Sequence, residues 1–375
     1  MRTLSLCMIV RDERPNLARS LATLLPYVSE AVVVDTGSRD GTPELAASLG
    51  ARVFVIPWQE DFSLARNYSL EQARSDWLMW LDADNRVPPE DAAMLLPLVQ
   101  RPGDAVLWAT EIVEPGGGRL LQKRLFPRRP DIFFRYRVHE QLCHPPGLAQ
   151  EVTRVRIYHW GYADPRRRRD KARRNLTLLL KELAERPEDF YVHYQLGRQY
   201  YQTGEPAQAL KHMEMAAAGP AARENREIYR HARLLAALCR DRLLGLGAAR
   251  LDLERLAGDC PDYGLVWYHL GLNHFRSREF KEAGESLARF LERGAGHLFL
   301  DLPEEKLRLT ALLTRAQALR RQGDLAAAEQ MLRLAQARYP REAAVWLETA
   351  ALARGRSDAA EARRAVDLCR RLRQK

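Results

Sequence analysis

The stretch LSLCMIVRDERPNLARSLATLLPYVSEAVVVDTGSRDGTPELAASLGARVFVI, residues 4–56, decides the fold. LSLCMIV (4–10), AVVVD (31–35) and RVFVI (52–56) are short apolar runs rich in β-branched residues, as strands buried on both faces require. The segments between them read as helices opening near Pro15 and Pro43. Proline suits a first helical turn, Thr42 stands where an N-cap belongs, and Gly50 stands where a helix stops. A further helix near Phe62 and the run WLMWLDAD (77–84) extend the alternation. Strands alternating with helices predict a mostly parallel sheet with both faces covered.

Working outward, residues 110–165 turn irregular and β-prone, through DIFFRYRVHEQL and VTRVRIYHWGY. Gly116-Gly117-Gly118 reads as a hairpin turn. A basic segment, Arg166–Arg169 with Lys171, Arg173 and Arg174, then opens a region without strand signals. There HYQLGRQYYQTGEPAQALKHMEMA (193–216) recurs as WYHLGLNHFRSREFKEAGESLARF (267–290), with Leu196, Gly197 and Ala209 matching Leu270, Gly271 and Ala283. TRAQALRRQGDLAAAEQMLRLAQARYP (314–340) repeats the later part of the unit. The pattern resembles the tetratricopeptide repeat, in which each helix pair buries its apolar face against its neighbours. Residues 228–260 are expected to hold a degenerate unit and 343–372 a capping one. The expected organisation is therefore an α/β domain over 1–165, a basic helical hinge over 166–186 and an all-α solenoid over 187–375.

Composition sets limits on partners. The chain has 375 residues, with 59 Lys and Arg against 49 Asp and Glu, a net +10. That surplus suits a phosphate-bearing substrate and argues against a nucleic-acid binder. Five cysteines without a CxxC pair suggest a reducing compartment and no disulfide framework. No apolar run approaches the 18 or so residues of a membrane span, and MRTLSLCMIVRDE is too short for a signal-peptide core. The expectation is a cytoplasmic protein, at most peripheral at the inner membrane through its basic surface.

Open α/β sheets keep ligands outside the carboxyl ends of their strands. Arg11-Asp12-Glu13, then Asp35 with the turn Thr36–Thr42, and Asp82-Ala83-Asp84-Asn85 all fall there. Between the last two lies Trp58-Gln59-Glu60-Asp61-Phe62-Ser63-Leu64-Ala65-Arg66-Asn67. Two adjacent carboxylates at a strand end call for a cation, and Mg²⁺ or Mn²⁺ would leave positions for phosphate oxygens. Asp35 could accept from a base or ribose hydroxyl, while Gly37 and Gly41 allow positive φ in the turn. No G-x-G-x-x-G follows an early strand and no G-x-x-x-x-G-K-[ST] occurs, so dinucleotide and P-loop readings fail. Lys123, Arg124, Arg128 and Arg129 form a basic group expected near a diphosphate. Trp58 is a candidate platform for a sugar or acceptor, and the aromatics of the repeats (Tyr191, Tyr200, Trp267, Phe275) read mainly as packing residues.

The motifs from LSLCMIVRDE through DTGSRDGT to WQEDFSLARNYSLEQARSDWLMWLDAD resemble a family 2 glycosyltransferase with the Rossmann-like A-type fold. The similarity is dense over residues 3–100 and thinner to about 165. Followed by tetratricopeptide repeats, it is similar to a bacterial subgroup that includes lipopolysaccharide-core-type enzymes and peptide S-glycosyltransferases. The resemblance implies a nucleotide-diphosphate-sugar donor, with a uridine diphosphate sugar favoured, and a glycan, lipid-linked or peptide acceptor. It implies donor contacts at Val10, Arg11, Glu13, Asp35, Arg66 and Asp82. It further implies a metal at Asp84 with Asp82, a base at Glu140 and a later metal-binding histidine at His159, with His139 as rival. Asn85 departs from the acidic residue expected after Asp84. The implied reaction is inverting transfer, with the repeats binding an acceptor or protein partner or building a homodimer. Two other readings compete: a non-catalytic repeat scaffold with a decayed first domain, and a sugar-1-phosphate nucleotidyltransferase. The second lacks the glycine-rich loop it needs after the first strand.

Overall fold

In the computed structural model, residues 1–113, 118–159, 165–219, 225–245, 247–296 and 303–373 are described, so Gly116 and Gly117 of the expected turn, and Trp160–Tyr162, lie outside them. The side chains of residues 165–168, which include Arg166–Arg168 of the basic segment, also lie outside. The chain divides into two compact units, the first running to Gln195 and the second covering most of the remainder. The expected hinge, 166–186, belongs to the first unit.

The first unit opens with β1 (Leu4–Val10), α1 (Arg14–Ala22), β2 (Glu30–Asp35), α2 (Thr42–Ser48), β3 (Arg52–Val55), α3 (Phe62–Gln72) and β4 (Trp77–Trp80). After a short β5 (Asn85–Arg86) and the small helices α4 (Pro89–Ala92) and α5 (Leu95–Val99) come β6 (Ala105–Val113) and β7 (Arg119–Pro127). The unit continues with β8 (Phe133–Arg135), β9 (Gln141–Cys143), β10 (Ala149–His159) and α6 (Pro165–Glu185), and includes the start of α7 (Phe190–Thr203). Eight strands form one sheet in the order β3-β2-β1-β4-β7-β6-β10-β5, and β8 pairs with β9 separately. Pairings among β1–β4 and between β6 and β10 are parallel, whereas β7 runs antiparallel to both β4 and β6. β1 is buried along nearly its whole length because it lies between β2 and β4 with helices over both faces.

Two local expectations change. Thr42 is the first residue of α2 and Gly41, at φ 82°, takes the cap position. Asp40 Oδ1 accepts from the Thr42 hydroxyl and amide, so an Asp side chain closes this end of the helix. The apolar run 77–84 supplies only Trp77–Trp80 to the ladder; Asp82 accepts the Asn85 amide through its carbonyl in a turn beyond it.

The second unit is a succession of helices. Successive pairs are Arg226–Leu244 with Arg250–Asp259, Gly264–Arg276 with Phe280–Arg293, Glu304–Arg321 with Leu325–Arg338, and Ala343–Gly355 with Ala359–Arg373. Gly197 faces Met213, and Gly271 sits at the corresponding place against Leu287. A glycine on one helix lets the second approach closely, which explains why this position recurs across the repeat. These pairs form a tetratricopeptide-type helical solenoid, and the degenerate unit expected over 228–260 is a full helix pair.

Candidate active site

The register of the sheet gathers the site. Val10 pairs with Asp35 across β1 and β2, Cys7 with Trp80 across β1 and β4, and His159 with Asn85 across β10 and β5. Parallel strands put their carboxyl ends on one edge, so Asp35, Asp82, Asp84 and His159 converge there although they come from distant parts of the sequence.

Asp35 is fully buried at the end of β2. Its Oδ1 accepts from the amides of Gly37 and Ser38 at 2.8 Å each, made accessible by Gly37 at φ 103°. Its Oδ2 is buried and has no hydrogen-bond partner among the described residues. A buried acceptor left open is costly unless a ligand group completes it. Val10 contributes backbone: its carbonyl accepts from the Thr36 amide at 3.0 Å and aligns β1 with the turn after β2. Glu13 stands at the cap of α1; its amide donates to Thr42 Oγ1 and its carboxylate accepts from Asn16. Asp12, at φ 54°, donates its amide to Ser38 Oγ and accepts from the Arg39 amide, locking the two loops together. Arg11 is exposed beside them.

Arg66 is the hub. The Asp61 side chain caps α3 by accepting from the Leu64 amide, which sets the helix direction, and Arg66 follows in the first turns. Arg66 is 8% exposed. Its Nε donates to Glu140 Oε1 and its terminal nitrogen to Asp82 Oδ1, both at 2.8 Å. Its guanidinium lies 4.2 Å from the Trp80 ring centre and 5.6 Å from that of Phe134, a cation–π setting that suits a desolvated arginine. Burial disfavours the Arg66 charge, but Asp82 and Glu140 more than offset it, so its pKa is raised. Burial likewise pushes Asp82 up, and the positive charges of Arg66 and Arg124 overcome it, holding that carboxyl down at about 2. Glu140 Oε2 carries no hydrogen bond among the described residues and is the open face of that carboxylate.

Asp84 and His159 form the second cluster. His159 Nδ1 faces Asp84 Oδ1 at 3.4 Å and Asn85 Nδ2 at 2.9 Å. Burial disfavours the charged imidazole, yet hydrogen bonding and charge from Asp84 raise its pKa. Asn85 is 1% exposed, and its Oδ1 accepts from the Asp82 amide. The residue that departs from the expected acidic pattern is thus a buried brace between the Asp82 backbone and His159. Among the described residues, no group of three or more His, Cys, Asp or Glu side chains is arranged to hold a metal ion. Asp84 and His159 nevertheless adjoin, and two protein ligands completed by diphosphate oxygens and water suit Mg²⁺ or Mn²⁺. Asp82 is turned toward Arg66 instead.

The basic group from β7 requires a correction. Arg124 is fully buried, pairs with Glu111 at 2.7 Å and lies 3.7 Å from the Trp80 ring centre. It is buried between Glu111 and Trp80 and so is not the exposed cation that the charge pattern suggested. Lys123 donates toward the Leu142 carbonyl and meets His144 Nε2 at 3.0 Å. Arg128 donates to the Ser75 carbonyl and Arg129 pairs with Asp131. Because β7 is antiparallel to β4, with Pro127 opposite Trp77, its last residues lie at the end of the sheet away from Asp82. Trp58 packs on Phe62 with ring centres 4.7 Å apart, at the start of α3. His139, the alternative histidine, has φ 56° and offers its carbonyl to Tyr191 Oη.

Trp80, Glu111 and Phe134 are part of the arrangement without having been singled out in the sequence. Asn67 holds Phe134 through paired amide bonds to its backbone at 2.8 and 2.7 Å. A signal for Arg124 existed: it stands in a strand directly before Leu125 and Phe126, where a solvated cation is out of place.

Comparison with known proteins fits this geometry. Residues 5–152 match the family model described as glycosyl transferase family 2. A TPR repeat-containing protein of Synechococcus elongatus, Synpcc7942_0270, is 37% identical over 218 residues, 55% of this chain and 54% of that protein. The SPbeta prophage-derived glycosyltransferase SunS of Bacillus subtilis is 24% identical over 223 residues, 56% of this chain and 52% of its own. The chain spans about half the length of these curated relatives. Among solved structures, YrrB, described as a TPR protein with an unusual peptide-binding site, aligns with TM-score 0.41 at 15% identity, covering 52% of this chain and 93% of its own. Residues 5–152 are thus similar to family 2 glycosyltransferases, and in this chain they are followed by a tetratricopeptide-type helical array.

Proposed function

We propose that the chain transfers a sugar from a nucleotide-diphosphate sugar, a uridine diphosphate sugar being favoured, to an acceptor, with inversion at the anomeric carbon. The observation that carries this reading is Arg66, which ties the Asp-x-Asp carboxylate Asp82 to the carboxylate of Glu140 at the strand ends. In this reading Asp35 Oδ2 accepts from the base or ribose, and Asp82 approaches the ribose. Arg11 adds positive charge beside the departing diphosphate, and electrostatic stabilisation of developing charge is commonly the largest catalytic contribution. Asp84 and His159 would hold a divalent cation, which when bound would offset charge on the diphosphate. Glu140 takes the proton of the acceptor hydroxyl or thiol as that atom bonds to the anomeric carbon. The bond from that carbon to the diphosphate oxygen breaks with its electron pair, releasing the nucleoside diphosphate. General-base assistance of this kind contributes roughly 10²–10⁴-fold.

The acceptor is a glycan, a lipid-linked glycan or a peptide. The helical repeats, whose stacking builds extended binding surfaces, favour a peptide or a protein-bound acceptor. No helix among the described residues is long and apolar enough to cross a membrane. A thermal-shift screen of nucleotide sugars, with and without Mn²⁺, tests the donor side. One nucleotide sugar is expected to stabilise the protein, and the effect should vanish in Asp35→Ala. A protein that no nucleotide or nucleotide sugar stabilises, yet that binds a peptide tightly, would reverse the reading in favour of a non-catalytic scaffold.

A further inference from the structure

We propose that Tyr191 and Glu182, from the helices that follow the sheet, are positioning residues for Glu140, on the reading above in which that carboxylate takes the acceptor proton. Glu140 ends a loop in which two residues other than glycine have positive φ, Tyr136 at 81° and His139 at 56°. Such backbone persists only where surrounding contacts impose it. Here the contacts come from two sides. The Arg137 carbonyl accepts from the Phe62 amide at 2.9 Å, which joins the loop to the start of α3. The Arg137 amide donates to Glu182 Oε2 at 2.9 Å, and Glu182 is 3% exposed on α6. Tyr191, buried at the start of α7, donates its hydroxyl to the His139 carbonyl at 2.7 Å and accepts from Gln141 Nε2 at 2.6 Å. Tyr136 completes the set, its ring centre 4.7 Å from that of Tyr191 and its hydroxyl 3.1 Å from Asp189 Oδ2.

The Tyr191 bonds fall on the residues immediately before and after Glu140, and the Glu182 bond falls on Arg137, three residues before it. A rotation at His139 would swing the carboxylate away from both Arg66 and the acceptor. A misplacement of about 1 Å at a reacting group costs on the order of 10²-fold in rate. α6 and α7 therefore fix the angle at which Glu140 meets the acceptor.

The test uses the full chain and the variants Tyr191→Phe, Glu182→Gln and Glu140→Gln. UDP release from UDP-glucose and from UDP-N-acetylglucosamine is measured with Mn²⁺, together with UDP affinity by calorimetry and hydrogen exchange over residues 136–141. Tyr191→Phe removes one oxygen and keeps the ring packed against Tyr136, so folding should survive even if Glu182→Gln does not. The expected result is a kcat at least tenfold lower in Tyr191→Phe, with KM and UDP affinity within about twofold of wild type and faster exchange in 136–141. If Glu140→Gln is slow but Tyr191→Phe and Glu182→Gln match wild type, the positioning role is overturned and the base assignment stands. If Glu140→Gln itself turns over like wild type, the base assignment falls and the inference falls with it. Should neither sugar be turned over, unchanged exchange in Tyr191→Phe overturns the inference and faster exchange supports it.

Discussion

Asp82 and Glu140 are held by a single guanidinium, that of Arg66, each through a 2.8 Å hydrogen bond. One carboxylate belongs to the Asp-x-Asp turn and the other to the loop before β9, so Arg66 sets the distance between them, which in the proposed function is that between the donor side and the proton-accepting side. Its flat fork can serve both while stacked on Trp80, and lysine could not reproduce that geometry.

Arg66→Met should therefore be the most damaging single change in the site. Removing one partner from a buried ion pair leaves the other charge uncompensated, typically at a cost of 3–5 kcal/mol. Asp82 is about one-third exposed, so solvent relieves part of that penalty and a loss of about 2–4 kcal/mol is expected. Urea unfolding of Arg66→Met, Glu140→Gln and the double variant checks this. The double variant should be less unstable than the sum of the two, because Arg66→Met has already removed the partner that Glu140→Gln would weaken.

The same cluster gives stability an acid limb. Asp82 is held down at about 2 in the folded chain by Arg66 and Arg124, against about 3.9 in an unfolded one. A carboxyl with a depressed folded pKa contributes stability that is complete above its unfolded value and is lost as pH falls toward the folded one. Its contribution should therefore be full at pH 6, begin to decline near pH 4, and be largely gone by pH 2. Asp82→Asn should flatten this part of the profile while lowering stability at neutral pH. Urea midpoints measured from pH 7 to pH 3 read both effects, and an acid limb of equal slope in the variant would remove Asp82 as its source.

How much of this was legible in the sequence depends on the range of the interaction. Asp35, Asp82 and Asp84 follow apolar runs directly, so strand ends and carboxylates could be read together. The turn glycines Gly37 and Gly41 have the positive φ that their positions implied. The Glu111–Arg124 pair was not legible, because it depends on how β6 and β7 align in the sheet. Charge alone therefore assigned Arg124 to the diphosphate. The attachment of the Glu140 loop to Glu182 and Tyr191 was hidden for the same reason: it links residues about fifty positions apart, and Tyr191 read as one more aromatic of the repeat. At α2, Thr42 is the first helical residue and not the cap, because Asp40 accepts from both its amide and its hydroxyl.

Asp84 offers a separate test of cation use. If Asp84 and His159 hold Mn²⁺ together, Asp84→Ala should abolish the extra thermal stabilisation that Mn²⁺ adds to UDP binding, while UDP alone still stabilises through Asp35. Ligand stabilisation follows the logarithm of ligand concentration over its dissociation constant, so a hundredfold weaker cation site would remove roughly 2.7 kcal/mol at saturating Mn²⁺. An Mn²⁺ response in Asp84→Ala equal to that of wild type would eliminate this residue as a ligand.

The repeats make a prediction about glycine that runs against helix propensity. Replacing a helical glycine by alanine normally gains about 1 kcal/mol. At Gly197, a new Cβ would meet the flexible end of Met213, its Cε at 2.8 Å, which can move aside. At Gly271 it would meet Leu287 Cγ at 2.6 Å and Leu287 N at 3.2 Å, forcing the two helices apart. At Gly264 it would fall 1.7 Å from the Gly294 carbonyl oxygen, a backbone atom with nowhere to go. The three alanine variants should therefore separate. Gly197→Ala is expected within about 1 kcal/mol of wild type, Gly271→Ala about 1–3 kcal/mol less stable from overpacking, and Gly264→Ala worse than either. Denaturant unfolding of the three gives the order, and equal stabilities would mean that close helix approach is not what these glycines provide.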